Sequence, residues 1–296
     1  MKTVNRQTEL KVKYDAVLQN YIMEATGKSR TAVKSLFAHK QIFIDGQNVS
    51  QYNFEVKKNQ IITINSIGTL SGKTGNKLNG IEIVFEDNDI IVIEKPSGML
   101  SVSAENGNEA TAYSILRNYV KMKSSLNKIF IVHRLDKATS GLMLFAKNEQ
   151  TKRIMQANWD NFIKHRKYVA VVCGRMKTEK GTVVSYLKEN AAMQMYASKS
   201  AEDAQRAVLS YRVLKADNNF SLVDIELETG RKNQIRVQMQ ETGHSIAGDK
   251  KYGGKSSPIG RLALHAQTLE FIHPITRNNM RFSTKIPKKF MTVFND

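Results

Sequence analysis

From Ile81 to the C-terminus the chain is a succession of short apolar runs separated by turn residues, and this pattern constrains its fold more than any other feature. Ile81, Ile83 and Phe85 alternate with polar residues, the period of a half-buried strand. The acidic turn Asp87-Asn88-Asp89 leads into Ile90-Ile91-Val92-Ile93, a continuous apolar run suited to a buried strand. Further strand patterns lie at 129–132, 142–146, 168–172, 183–187, 207–214 and 222–227. Helical spacing is confined to 111–122, 149–161 and 234–242. In the first of these, Ala112, Ile115, Leu116, Tyr119 and Val120 share a face; the last ends at Gly243. Strands and helices do not alternate regularly, so the expected class is α+β with a mainly antiparallel, mixed sheet.

A second pattern precedes this one. Tyr14, Val17, Leu18, Tyr21 and Ile22 follow helical spacing up to Gly27. Ser29 is placed to cap a second helix with Val33, Leu36 and Phe37 inward, and Lys28, Arg30, Lys34 and Lys40 surround it. Ile42-Phe43-Ile44, the hairpin signal Asp45-Gly46, and Ile61, Ile62 and Ile64 predict a small antiparallel sheet. The Gly/Ser/Lys/Asn-rich stretch 67–80 has no apolar periodicity and is expected to be a linker. The domains are therefore expected at 1–66 and 81–296, the first a small α/β module.

Charge indicates the partner. The 296 residues include 45 Lys and Arg against 27 Asp and Glu, a net charge of +18 that attracts polyanions. Residues 1–66 carry 10 Lys/Arg and 5 Asp/Glu, so both parts of the chain are basic. Nucleic acid is the leading partner, because no long basic amphipathic helix suits a membrane surface. Cys173 is the only cysteine, which excludes an intramolecular disulfide and a cysteine-based zinc site. The N-terminus has no apolar core like that of a signal peptide, and no run approaches a membrane span. A cytoplasmic, monomeric protein is expected.

Three segments could carry chemistry. His133-Arg134-Leu135-Asp136-Lys137-Ala138-Thr139-Ser140-Gly141 packs two cations and an acid into a loop between apolar strands. Local chemistry leaves a reactive loop and a surface turn with a salt bridge equally open. Thr229-Gly230-Arg231-Lys232-Asn233-Gln234-Ile235-Arg236-Val237 sets cations beside a helix start, where anions are favoured. Arg166-Lys167-Tyr168-Val169-Ala170 follows a basic run with an aromatic, a combination suited to base stacking and phosphate contact.

Taken together, these segments resemble the pseudouridine synthases of the RluA family. The match extends through Gly243-His244 to Tyr252-Gly253 and through Leu264-His265-Ala266, Leu269, Phe271 and His273-Pro274. The order of elements over 14–65 resembles the alpha-L RNA-binding motif of the ribosomal protein S-four type. The resemblance implies a reaction in which a uridine within RNA is detached at nitrogen 1, rotated and rejoined through carbon 5, with no cofactor or metal. Asp136 would be the catalytic carboxylate, acting at the anomeric carbon or removing a sugar proton. Arg236 would pair with it, with Arg231 as second candidate or phosphate ligand. Tyr168 would stack on the target base and Ile235 would pack beside it. Arg134 would fill the space left when the base leaves its stack. Lys28, Arg30 and Lys34 would bind RNA from the N-terminal module.

Asn233 and Gln238 stand where the family often has His, which puts fine RNA contacts in question. His133, His244, His265 and His273 fit no metal spacing and are expected to be structural. Large-subunit ribosomal RNA is the expected substrate. The alternatives are transfer RNA, and a non-catalytic RNA-binding or ribosome-associated protein on the same fold. A methyltransferase would need a Gly-rich nucleotide loop, and none is present.

Overall fold

The computed structural model describes residues 4–38, 41–68, 77–103, 109–254 and 257–294; Lys40 and residues 69–76 of the expected linker lie outside them. The chain forms two compact units, Met1–Ser71 with Phe271–Phe282, and Gly72–Glu270 with Ser283–Asp296. The sequence pattern had assigned all of 81–296 to one domain; Phe271–Phe282 instead cluster with the N-terminal residues. The cause is an unforeseen strand, β1 (Val4–Lys11). Its backbone pairs antiparallel with Asn279–Ser283, joining Asn5 to Arg281 and Gln7 to Asn279. Strand pairing uses main-chain donors and acceptors, so the polar side chains that concealed β1 do not prevent it.

The first unit continues with β2 (Ala16–Val17), α1 (Leu18–Thr26), α2 (Arg30–Ala38), β3 (Ile42–Ile44), β4 (Gln47–Asn48), β5 (Glu55–Val56) and β6 (Ile61–Gly68). Its sheet runs Asn279–Ser283, β1, β6, β3, β4. The first helix begins at Leu18 rather than near Tyr14, because Ala16 and Val17 pair with β5. Gly27 terminates it in the left-handed region at φ +67°, which glycine adopts without penalty. Asp45 and Gly46 make the β3–β4 turn, both at positive φ. Leu18, Ile22, Val33, Phe37, Ile42, Ile62 and Ile64 are buried together as its core.

The second unit contains β7 (Lys77–Leu78), β8 (Ile81–Glu86), β9 (Ile90–Lys95), α3 (Ala112–Lys123), β10 (Phe130–Ile131) and β11 (Ser140–Ala146). Then come α4 (Glu149–Ala157), α5 (Trp159–Phe162), β12 (Ile163–Cys173), β13 (Lys180–Glu189), β14 (Met195–Ser198), β15 (Gln205–Ala216), β16 (Phe220–Leu227) and α6 (Gln234–Glu241). β17 (Leu264–Ile272) leads out of the unit, β18 (Asn279–Ser283) leads back, and α7 (Lys288–Met291) follows. The helix expected over 149–161 is broken at Asn158, whose backbone leaves the helical region. Among the described residues no helix is long and apolar enough to cross a membrane.

Two stretches of sheet make up this unit. One runs β14, β13, β15, β16, β12, β17; the other runs β11, β9, β8, β7. They join where β11 and β17 lie parallel over two residue pairs, Ser140 with His265 and Gly141 with Ala266. Each stretch has its own core. Val169, Val171, Val223, Ile225, Ile235 and Met239 belong to the first, and Ile83, Ile91, Ile93, Leu116, Leu135 and Phe145 to the second. Tyr168 packs against both.

Gly141 occupies φ +119°, and a Cβ on it would overlap the Ala266 backbone. Gly141→Ala is expected to cost about 2–4 kcal/mol, because both the strained φ and the contact with rigid backbone must be relieved. Urea unfolding measures this, and a loss below about 0.5 kcal/mol would contradict the close approach.

Candidate active site

The loop between β10 and β11 carries Asp136 and is anchored through its main-chain groups. Leu135 is buried, its N–H donates to Ser101 Oγ at 3.1 Å, and that hydroxyl donates to the Leu135 carbonyl at 2.7 Å. Ser97 Oγ donates to the Ala138 carbonyl at 2.6 Å, and the Gly98 N–H donates to the Lys137 carbonyl at 2.8 Å. Lys95, fully buried at the end of β9, donates from Nζ to the carbonyls of Pro96 at 2.9 Å, Met99 at 2.7 Å and Lys137 at 3.4 Å. Burial pushes its ammonium down to about 8, while the nearby Asp136 charge opposes the shift. Residues on both sides of Asp136 are therefore tied down, while its own side chain is partly exposed.

The histidines of these motifs are taken up by the scaffold. His133 accepts the Leu144 N–H at Nε2 (2.9 Å) and packs tilted against Trp159, and burial pushes its pKa down to about 3. His265 bridges Ser140 Oγ (2.9 Å) and Thr284 Oγ1 (2.7 Å). His244 Nδ1 lies 3.0 Å from the Cys173 carbonyl.

The second wall comes from the turn before α6. Asn233 starts that helix in the left-handed region, at φ 53°. Gln234, almost fully buried, folds its amide back on the turn: Oε1 accepts from Thr229 Oγ1 and the Arg231 N–H, and Nε2 donates to the Val208 carbonyl. Ile235 sinks into the core, a burial worth about 1.5–3 kcal/mol, and this directs its neighbour Arg236 toward the loop of Asp136.

Arg236 meets two carboxylates. Its Nε and Nη2 donate to Asp249 at 2.7 Å each, a two-bonded fork. Its Nη1 lies 3.5 Å from Asp136 Oδ2 and 3.2 Å from Asn233 Oδ1. The guanidinium also stands 4.8 Å above the Tyr252 ring. Burial alone would lower its pKa, but Asp249 first and Asp136 second raise it, so the cation is secure. Asp249 has no exposed side-chain surface and also accepts the N–H groups of Lys251 and Tyr252 at 3.1 Å.

Asp136, Tyr168, Arg236, Arg134, Arg231 and Ile235 line one small pocket of about 80 Å³, with Leu135, Thr139, Leu227 and Leu264 as further walls. Sequence reasoning placed those six together. Arg236 rather than Arg231 is the cation beside Asp136; Arg231 is exposed, with Nε on the Arg206 carbonyl at 3.2 Å. Burial, chiefly, raises the Tyr168 hydroxyl, so the phenol keeps its proton at neutral pH. Lys28, Arg30 and Lys34 are exposed on the other unit, at and just before α2.

Lys95, Asp249 and Gln234 were missed. Asp249 lies in the glycine-bounded run 243–253, but nothing in that run says which cation the acid would meet. Gln238, which raised a question about RNA contacts, is fully buried and donates to the carbonyls of Val183 and Ala207 at 3.1 Å each. It ties strands together and does not face a substrate.

Asp249→Asn keeps the shape and removes the charge that balances Arg236. It is expected to cost about 3 kcal/mol, since Arg236 loses the buried partner of its fork and keeps only the longer contact to Asp136. Urea unfolding of the variant reads this directly, and a cost below about 1 kcal/mol would mean that Arg236 is held elsewhere.

Comparison with known proteins identifies the family. Residues 89–241 match the family model described as RNA pseudouridylate synthase. The chain is 31% identical over 261 residues to the uncharacterized RNA pseudouridine synthase YhcT of Bacillus subtilis, covering 88% of this chain and 86% of that one. It is 34% identical over 227 residues to the ribosomal large subunit pseudouridine synthase D of Zymomonas mobilis, covering 72% of each. In fold it is similar to human RNA pseudouridylate synthase domain containing 4, with a TM-score of 0.58 and 23% identity over 71% of this chain and 90% of that one. The chain therefore belongs to the RNA pseudouridylate synthase family and is an RNA pseudouridine synthase of the RluA type.

Proposed function

We propose that this synthase isomerises uridines of large-subunit ribosomal RNA, with Asp136 as the catalytic carboxylate. The observation that carries the catalytic reading is one carboxylate with a fixed counter-cation, Arg236, and an aromatic wall, Tyr168, around a single pocket. The substrate reading is supported by relatives named ribosomal large subunit pseudouridine synthase D.

Asp136 acts on the sugar of the target nucleotide. A glycoside hydrolase would instead use two carboxylates and a water; Asp249, the other nearby acid, is fully committed to Arg236 and to main-chain N–H groups. Arg236 orients the Asp136 carboxylate and supplies its counter-charge. Tyr168, held as the neutral phenol, forms a stacking wall for the uracil and has a hydroxyl that donates more readily than it accepts. Ile235 packs the adjacent wall. Arg134, exposed at the pocket, takes the place of the extruded base, and Arg231 contacts phosphate. Lys28, Arg30 and Lys34 form an RNA-binding face on the N-terminal unit, which we read as an alpha-L module.

Asp136→Asn is expected to reduce tritium release from RNA labelled at carbon 5 of uridine to background while RNA affinity is retained; wild-type release would refute the assignment. Replacing Lys28, Arg30 and Lys34 together by Gln should reduce the slope of log affinity against log salt by about 2–3, the release of as many counterions. An unchanged slope would remove the N-terminal unit from the RNA interface.

A further inference from the structure

A second cavity of about 380 Å³ adjoins the pocket of Asp136, and the two share Leu227 as a wall. Arg166 lines it, two residues before Tyr168 on β12. Side chains alternate along a strand, so Arg166 stands on the Tyr168 side, about 6.5 Å further along.

The state of Arg166 is unusual for an arginine with a structural role. Its Nε is buried without a hydrogen-bond partner. Nη2 makes one long hydrogen bond, 3.4 Å to the Glu228 carbonyl. Among the described residues no carboxylate lies within ion-pair distance of it, although burial disfavours its charge. A half-buried guanidinium that no carboxylate contacts, with Asp160 acting on its charge from further away, keeps hydrogen-bonding capacity for a ligand. The guanidinium also rests against Gly230, where a Cβ would displace Nη1. Gly230 is not at positive φ, so space for Arg166 is the reason for a glycine there.

The rest of the lining indicates the ligand. Lys164 supplies a second cation, Asp160, Glu226 and Glu228 supply carboxylates, with Glu226 already paired to Lys167, and Thr182 and Ser210 supply hydroxyls. Three carboxylates repel a phosphate. A nucleobase edge that offers acceptors on one side and N–H donors on the other suits the mixture. Guanine does so best, with O6 and N7 for the arginine fork and its N1–H and amino group for a carboxylate.

We propose that this cavity is a subsite for a guanine of the substrate RNA next to the target uridine, with Arg166 as the residue that reads it. The proposal rests on the RNA-substrate reading above. Two pockets that share a wall can take two neighbouring nucleotides of one strand.

The test starts from full-length protein and unmodified transcripts of large-subunit ribosomal RNA and transfer RNAs, in which the modified uridine is mapped. The nucleotides on either side of it are then replaced in turn. Wild-type protein is expected to lose kcat/KM on the order of tenfold when the flanking guanine is replaced. In Arg166→Gln that discrimination should shrink to within about twofold, with the loss carried by KM more than by kcat. Arg166→Lys, which keeps the charge but not the fork, should fail to restore it. If Arg166→Gln does not fold, Gly230→Ala, which displaces the guanidinium, carries the same expectation. Unaltered discrimination in a folded variant, an equal loss on every sequence as for a phosphate contact, rescue by lysine, or a modified uridine with no flanking guanine would each overturn the subsite while leaving the synthase reading intact. Absence of pseudouridine with wild-type protein on both RNAs would overturn that reading and the subsite with it.

Discussion

The parallel contact between β11 and β17, only two residue pairs long, is the constraint on which the rest of the second unit depends. Two stretches of sheet with separate cores meet there, and only glycine at 141 permits the approach. Asp136 leaves the strand system five residues earlier, tethered through Leu135 to one core. Arg236 starts from Ile235, buried in the other. The candidate active site therefore lies at the seam, and the two apolar anchors set the direction of the two charged side chains. Rigid packing on both sides makes the geometry insensitive to the loops that connect it.

Electrostatics refine what packing has placed. Arg236 would be a poor partner for Asp136 if it could swing away. Its fork is occupied by Asp249, which leaves Nη1 for Asp136 and Asn233. The short, doubly bonded contact to Asp249 is the structural one, and the longer contact to Asp136 is the adjustable one. The contact to Asp136 can then change without dismantling the support of the cation. The contrast with Arg166, whose buried Nε has no partner, separates a cation completed by the protein from one that awaits a ligand.

Much of this was legible in the amino-acid order. The apolar runs at 81–86, 90–93, 142–146, 207–214 and 222–227 all became strands, because alternation and β-branched runs are local signals. Gly27 and Thr111 marked helix boundaries for equally local reasons. Elements with polar sequences were hidden. β1 is built mostly of charged and polar residues, and β12 extends back through Lys164–Lys167, where nothing apolar announces a strand. The helix over 149–161 was read as continuous because its break at Asn158 depends on backbone torsion rather than residue type.

The sequence by itself determined the class of fold, the basic character suited to RNA, and the three motifs that supply Asp136, Tyr168 and Arg236. These follow from periodicity, charge and motif order, which are properties of the chain as a line. Only the tertiary structure decided that Asp249 holds Arg236, that Lys95 ties down the Asp136 loop, that Gln238 faces strands rather than substrate, and that Phe271–Phe282 cluster with the N-terminal residues. The physical reason is common to all four. A buried polar group must find its partner wherever packing brings one, and partners more than ten residues away leave no mark on local sequence.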